Sequence, residues 1–337
     1  MSDCYVLGAN LSHDSSAALL CNGDLVCAIA EERLSRRKHC HGGIDPDGAI
    51  HSLLPLLAIN YCLDSVGIAV EAVDLIVVSS SVVVLKDFRT RNLTKQEILR
   101  QLPDSVAAER VVVVGHHAGH AASAFYPSGF ADAAVIVADG GGSLVKKAEA
   151  WYEERTSIYW GRDGELDIVE QFFDKEPSNG FLANEAPCSL GDYYQSATEF
   201  IGFSPGEEGK TMGLAPYGSD KYYLDFTRAL KYEGGNFSID PEFQFNKRLD
   251  VANGYGGVFG RPHAAGAPQN ELERDIAAAA QYALEEVLVG VADSAYDKTR
   301  TKNLCLAGGI ALNSVANKVI LDRTPFERIF IQPASGD

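Results

Sequence analysis

Short apolar runs separated by polar and glycine-rich turns dominate the chain, and most have the length of strands. Tyr5–Gly8 and Ser16–Leu20 are such runs, and Leu25–Glu31 returns after the hairpin signal Asn22-Gly23-Asp24. An amphipathic pattern predicts a helix over 47–67, Asp74–Ser80 reads as a buried strand, and a polar helix is expected at 94–101. Val111–Val114 has no polar face, as a strand inside a covered sheet requires, and the helix expected at 116–126 stops at Tyr126-Pro127. A second series opens in the same manner. The strand Ala134–Ala138 runs into Asp139-Gly140-Gly141-Gly142-Ser143, and strands near 148–153, 156–161 and 166–173 make a meander that turns at Arg162-Asp163-Gly164. Helices follow at 189–201 and 220–231, then a Gly/Pro-rich loop at 252–270 and a long helix at 270–295. A strand, Gly-Gly and a helix fill 303–322, and a last strand, Arg328–Ile331, leads to Pro333-Ala334-Ser335-Gly336-Asp337. No repeat of 20–50 residues is visible. The recurring strand–turn–strand pattern mixed with helices predicts an α/β fold of two units sharing a cleft, divided as 1–131 and 132–337.

Composition narrows the function classes. The 337 residues are 46% hydrophobic and 22% charged, which supports folded cores and excludes a disordered chain. The 46 acidic against 29 basic residues give a net charge of −17, which argues against nucleic acid or an anionic membrane as partner. The seven cysteines include no C-x-x-C pair, so reduced thiols are expected rather than a zinc knuckle or a disulfide framework. The start has no signal-peptide pattern and no stretch approaches 18 unbroken apolar residues, so a soluble, cytoplasmic protein is the expectation. A strand followed by Ser-Gly-Asp ordinarily leads into another element, and the ending therefore reads as an interrupted longer product.

Six segments carry candidate chemistry. In His116-His117-Ala118-Gly119-His120 a helix would put His116 and His120 on one face, about 6 Å apart at Cβ, which suits a first-row metal. The same spacing also fits a hydrogen-bonded histidine cluster. With no glutamate after His116, a zincin site is excluded. Asp139 at a strand end, followed by Gly140 and Gly141, offers a carboxylate for a cation and open amides for a phosphate, or else a plain hairpin turn. The loop Gly8–Ser15 places His13 among small residues and hydroxyls, as a general base or as part of a surface turn. Gly209-Lys210-Thr211 lacks the first glycine and the preceding strand of a P-loop, yet Lys210 could touch a phosphate. Gly308-Gly309 between strand and helix, with Asn313 one turn in, could seat a nucleotide or serve as a packing turn. Arg33, Arg36, Arg37, Lys38 and His39 form a basic stretch that is either a solvated hairpin end or an anion-steering patch.

In this order the segments resemble the NodU/CmcH carbamoyltransferase family, over essentially the whole chain. The most specific stretches are Ser12–Ala18, Ala30–His39, His116–Ala124, Glu208–Gly218 and Gly308–Asn313. The resemblance implies two RNase H-like lobes of the sugar kinase/actin type around a cleft, the second lobe incomplete here, with a YrdC-like domain that makes carbamoyl adenylate absent from this chain. It further implies an O-carbamoyltransferase. Such an enzyme moves the carbamoyl group of carbamoyl adenylate, made from carbamoyl phosphate and ATP with Mg2+, onto a hydroxyl of a small-molecule acceptor such as a sugar or natural product. By the same resemblance His116, His120, Asp139 and Asp337 hold Fe2+ or another first-row metal. His13 is the base, Lys38 holds phosphate or carbamoyl oxygens, and Gly140, Gly141, Lys210, Gly309 and Asn313 contact the nucleotide. The chain departs from the family in having Ser143 about where an acid is more common.

Other readings are a threonylcarbamoyl-type transferase, which the acidic charge disfavours, a sugar or acetate kinase, and an actin-like ATP-binding module without transferase activity.

Overall fold

The computed structural model describes residues 3–40, 43–44, 50–52, 54–80, 83–84, 90–175, 189–233, 236–240, 259–260, 262–264, 266 and 268–336. They form two compact units, one built from residues up to Gly119, the other running from His120 to Gly336. The division falls inside one helix rather than after residue 131.

The first unit holds a five-stranded sheet. Its strands are β1 (Tyr5–Leu11), β2 (Ser16–Cys21), β3 (Asp24–Ala30), β4 (Leu75–Ser80) and β5 (Val111–Gly115), in the spatial order β3-β2-β1-β4-β5. β1, β2 and β3 are antiparallel neighbours, whereas β1, β4 and β5 run parallel. Helices α1 (Glu31–Ser35), α2 (Leu56–Asp64) and α3 (Lys95–Leu99) lie between these strands in sequence, and α4 (His116–Phe125) follows β5. Leu7, Leu19, Ile76, Val78, Ala58 and Cys62 pack into one core between the sheet and α2. The helix expected over 47–67 is shorter, because Pro55 sets its start; residues 45–49 and 53 lie outside those described. Pro55 brings no capping side chain to α2. Glu31 of α1 does so instead, accepting the N–H groups of Leu57 (3.2 Å) and Ala58 (2.7 Å) from a fully buried position.

The second unit holds β6 (Asp132–Ala138), β7 (Leu144–Lys147), β8 (Ala150–Arg162), β9 (Glu165–Lys175), β10 (Asn303–Ala307) and β11 (Arg328–Ile331). β8 pairs antiparallel with β6, β7 and β9, and β6, β10 and β11 run parallel. The spine β9-β8-β6-β10-β11 therefore repeats the order and directions of the first sheet, without any repeat in sequence. This arrangement, built twice, is the RNase H-like fold of the actin and sugar kinase type. The unit's helices are α5 (Leu190–Phe200), α6 (Glu208–Leu214), α7 (Tyr223–Ala229), α8 (Glu271–Thr299) and α9 (Ser314–Arg323). Helix α8 starts with a capping box from Asn270 and Glu273, and its alanine-rich turn Ala277 to Ala280 is buried on every side, the small side chains letting neighbouring elements approach closely. The strands expected at 148–153 and 156–161 are one strand, β8, with a register irregularity between Glu154 and Thr156. No helix among the described residues is long and apolar enough to cross a membrane.

Candidate functional site

The loop between β1 and β2 spends its hydroxyls on its own shape. Ser12 Oγ accepts from Asn10 Nδ2 (2.9 Å) and from the Asp14 N–H (3.2 Å), while Ser15 Oγ donates to the Ser12 carbonyl (2.8 Å). The Ser15 N–H donates to the Cys40 carbonyl (3.2 Å), so the stretch after α1 is tied to this loop. With its hydroxyls engaged, the loop presents an imidazole rather than a phosphate cradle. His13 is exposed, and its Nδ1 lies 2.9 Å from Asp14 Oδ2. His39 comes to the other carboxylate oxygen, Nδ1 to Oδ1 at 3.0 Å. A carboxylate only accepts, so both Nδ1 atoms carry a proton toward it, and in the neutral ring the lone pair is at Nε2. Burial pushes the Asp14 carboxyl up, but hydrogen bonds and charge from His13 and His39 outweigh it and hold it below its ordinary value. Lys38 stands exposed in the turn just before His39. Arg33 pairs with Glu32, and Arg36 closes α1 in the left-handed region.

The second group of candidates begins on α4. Gly119 allows this helix to press on β4: a Cβ there would lie 2.6 Å from Ser79 Oγ. His116 and His120 are buried and one turn apart. His120 Nε2 lies 3.3 Å from Asp139 Oδ2 at the end of β6. Because α4 is unbroken, His116 is placed by the helix itself. One ligand atom from each of His116, His120 and Asp139 lies within 4.8 Å of the others. Asp337, the fourth expected ligand, lies outside the described residues.

Asp139 is fixed by backbone. Its Oδ1 accepts the N–H groups of Gly140 (2.8 Å) and Gly309 (3.1 Å), and its Oδ2 turns to His120. The Gly309 amide is thus committed to a carboxylate. The preceding Gly308 has φ +88°, and a Cβ on it would lie 2.3 Å from the Ala138 carbonyl oxygen, so β10 can approach the end of β6 only with glycine there. The segment Asp139–Ser143 is not a hairpin turn, since β6 and β7 both pair with β8 and not with each other.

Beneath this turn lies Arg155. Its guanidinium reaches Glu153 (2.8 Å), Asp174 (2.9 Å) and Asp192 (3.8 Å), and Nη1 donates to the Gly140 carbonyl. Ser189 Oγ donates to the same carbonyl (2.9 Å) and also caps α5. Gly191 lets α5 abut the turn, because a Cβ there would lie 2.6 Å from Gly140 Cα. Glu154 accepts the Ser143 N–H (3.1 Å), which brings a carboxylate to the place where the sequence has serine. Gly141 leaves room for the Glu153 carboxylate, 2.5 Å from where a Cβ would stand.

The remaining candidates have other partners. Lys210, exposed on α6, pairs with Glu207. Asn313 is not one turn into a helix. A 3-10 turn, Gly309–Leu312, intervenes, and Asn313 caps α9 through the Ala316 N–H (3.0 Å) while donating to Gln281 (2.8 Å). A cavity of about 600 Å³ lined by Tyr223, Tyr232, Tyr282, Asp220 and Glu286 touches none of the expected site residues. The reading of the sequence missed Asp14 and Arg155, and placed His39 in the basic stretch without its carboxylate partner. Asp14 lies inside the His13 motif, and Arg155 stands out as a charge in an otherwise strand-like stretch.

A family model described as Carbamoyltransferase N-terminus matches residues 5–91 and 83–337. The chain belongs to this family. An uncharacterized protein of Synechocystis sp. is 33% identical over 370 residues, covering 99% of this chain and 55% of that protein. Nodulation protein NolNO of Sinorhizobium fredii is 27% identical over 347 residues, covering 96% of this chain and 44% of that protein. The chain thus spans about half the length of these relatives. Among solved structures, component A of (R)-2-hydroxyglutaryl-CoA dehydratase from Acidaminococcus fermentans aligns with TM-score 0.49 at 11% identity, over 98% of this chain and 93% of that one. HypF from T. kodakarensis aligns with TM-score 0.48 at 14% identity, over 99% of this chain and 46% of that one.

Proposed function

We propose that this chain is the acceptor-carbamoylating part of an O-carbamoyltransferase, with carbamoyl adenylate as donor and a small-molecule hydroxyl as acceptor. The observation that carries the reading is the donor set His116, His120 and Asp139 in a member of the carbamoyltransferase family, with the Asp139 carboxylate already oriented by two amides. Two imidazoles and a carboxylate suit Fe2+ or a similar first-row ion better than Mg2+ or Ca2+. His116, His120 and Asp139 would hold it, with Asp337 as a further carboxylate. When bound, the ion supplies Lewis acidity toward a carbonyl or phosphate oxygen.

The chain's own residues account for the rest. Asp14 holds His13 with Nδ1 protonated, which leaves Nε2 to take the proton of the acceptor hydroxyl, an effect worth about 10²–10⁴ in rate. The acceptor oxygen then bonds to the carbamoyl carbon, the bond from that carbon to the phosphate oxygen breaks, and AMP leaves with the electron pair. Lys38 is the cation assigned to the developing negative charge on the carbonyl or phosphate oxygens, and the glycine turns at Gly140–Gly141 and Gly309 are assigned to nucleotide contact, as the family resemblance implies. ATP with Mg2+ and carbamoyl phosphate are consumed upstream, in making the adenylate. The acidic chain and the absence of long apolar helices among the described residues fit a soluble, cytoplasmic enzyme acting on a small molecule.

The test uses the longer gene product. His13→Asn is expected to keep adenylate formation and lose transfer to the acceptor; transfer at the original rate would remove His13 from the mechanism. In the chain itself, purified anaerobically, His120→Ala is expected to lose a near-stoichiometric first-row metal found in the unaltered protein.

A further inference from the structure

We infer that His13, Asp14 and His39 form a second site for a transition-metal ion, and that an ion bound there switches off the imidazole of His13. The assembly lies wholly in the first unit and shares no residue with the donor set on α4 and β6.

Geometry supports it first. The ligand atoms of the three side chains lie within 4.8 Å of one another. His13 Nδ1 lies 2.9 Å from Asp14 Oδ2 and His39 Nδ1 lies 3.0 Å from Asp14 Oδ1, so each imidazole meets its own carboxylate oxygen. A tetrahedral ion with bonds of 2.0–2.1 Å needs ligand–ligand edges of about 3.3 Å. An ion taking one carboxylate oxygen and both nitrogens therefore keeps one short edge nearly as it is, while the other nitrogen moves in from within 4.8 Å. The rings stand edge to face, 71° apart with centroids at 6.0 Å, so neither blocks the other's approach. His39 is held in place by its own backbone, whose N–H donates to Glu32 (3.3 Å), and by the neighbouring Cys40 carbonyl, which accepts from Ser15. Its φ of 52° is the left-handed conformation that turns the side chain at this point.

Chemistry selects the ion. One carboxylate among the basic residues Arg36, Arg37 and Lys38 cannot hold Ca2+ or Mg2+, which take mostly oxygen ligands and rely on charge. Two imidazoles bind Zn2+, Co2+, Ni2+ or Cu2+ through bonds that this positive surroundings weakens but does not abolish. The side chains of His13 and His39 are 53% and 60% exposed, so a fourth position stays open to solvent.

The consequence for His13, which rests on the base role proposed above, follows from proton balance. In the neutral ring Nδ1 carries the proton, donated to Asp14, and Nε2 the lone pair. An ion at Nδ1 takes that lone-pair position, and the displaced proton moves through solvent to Nε2. The ring stays neutral, but Nε2 becomes a donor and can no longer accept a proton from a hydroxyl. Free transition metal would thus inhibit transfer while leaving adenylate formation intact.

The experiment is Co2+ titration of the purified, metal-stripped chain, followed by visible absorption. The variants are His39→Asn, Asp14→Asn and His120→Ala; asparagine at 39 keeps a residue that tolerates the left-handed backbone. Two Co2+ ions are expected in the unaltered chain, with one lost in His39→Asn and in Asp14→Asn, and the other lost in His120→Ala. A single ion lost in His39→Asn but kept in His120→Ala would still establish this site and would count against the α4 donor set. Retention of both ions in His39→Asn and Asp14→Asn, or a single ion lost only in His120→Ala, would overturn the inference. Long-range 1H–15N spectra with Zn2+ give an independent readout: the His13 proton is expected to move from Nδ1 to Nε2, and a ring unchanged at saturating Zn2+ refutes the switch.

Discussion

Gly309 donates its backbone N–H to Oδ1 of Asp139 over 3.1 Å, from the end of one parallel strand to the end of its neighbour. Together with the Gly140 amide, this bond orients the carboxylate before any ion arrives. Asp139→Asn keeps an oxygen for both amides and is expected to fold with a stability change of about 1 kcal/mol, yet to lose the ion proposed for this site. Asp139→Ala leaves both amides without that acceptor and is expected to cost about 1–3 kcal/mol as well. Denaturant unfolding alongside elemental analysis separates the two effects.

The two glycines bordering Asp139 on its two strands are not equivalent. Gly308→Ala would place a methyl against the Ala138 carbonyl in a backbone conformation that alanine resists, and about 3 kcal/mol or more of stability is expected to go. Gly140→Ala meets nothing within 4 Å and is expected to stay within about 1 kcal/mol of the unaltered protein. Equal unfolding midpoints for the two variants would contradict the close strand approach.

Arg155 anchors the glycine turn from below. Arg155→Met leaves Glu153 and Asp174 buried without their cation, and the expected loss is about 3–5 kcal/mol. The Gly140 carbonyl also loses one of its two donors, so metal affinity at His120 and Asp139 is expected to fall. Arg155→Lys restores charge but not the fork and is expected to recover stability better than affinity.

Glu31 gives a signature in pH. Burial raises its carboxyl above the ordinary value of 4.5, against the pull of the Ala58 and Leu57 amides. A raised carboxyl makes the folded state bind its proton more tightly than the unfolded state does. Its contribution is therefore full below about 4.5 and is lost as pH climbs through the folded value. Relative to Glu31→Gln, the unaltered protein is expected to lose stability as pH rises over this range. Urea unfolding of both at a series of pH values measures the difference, and parallel curves would refute it.

The strands were legible because each is a compact apolar run between turn residues, and both sheets follow from them. The break expected between 153 and 156 was not there, for a reason that sequence spacing does not carry. Glu153, Glu154 and Arg155 look like a turn, but in β8 they satisfy one another, Asp174, Gln171 and the Ser143 and Gly140 backbone. His116 and His120 were legible as a pair from helix spacing, but their company with Asp139 was implied only by the family resemblance, because a strand end does not by itself say which helix it meets. The pairing of Asp14 with His39 was not legible, because 25 residues separate them and the backbone ties of Ser15 to Cys40 and to Glu31 that close this span are made in three dimensions. The duties of Asn313 and Gly309 within the fold were not legible: one caps a helix and the other donates its amide to Asp139, both through partners far away in sequence or hidden in backbone geometry.

The twofold use of one strand plan gives both sheets the same address for a side chain. In each sheet the connection leaving the first strand carries a candidate site residue, His13 after β1 and Asp139 after β6. A side chain at that address can be exchanged without disturbing any rung of the ladder, because the address lies just past the last paired residue. The scaffold and the chemistry placed on it are therefore separable by substitution.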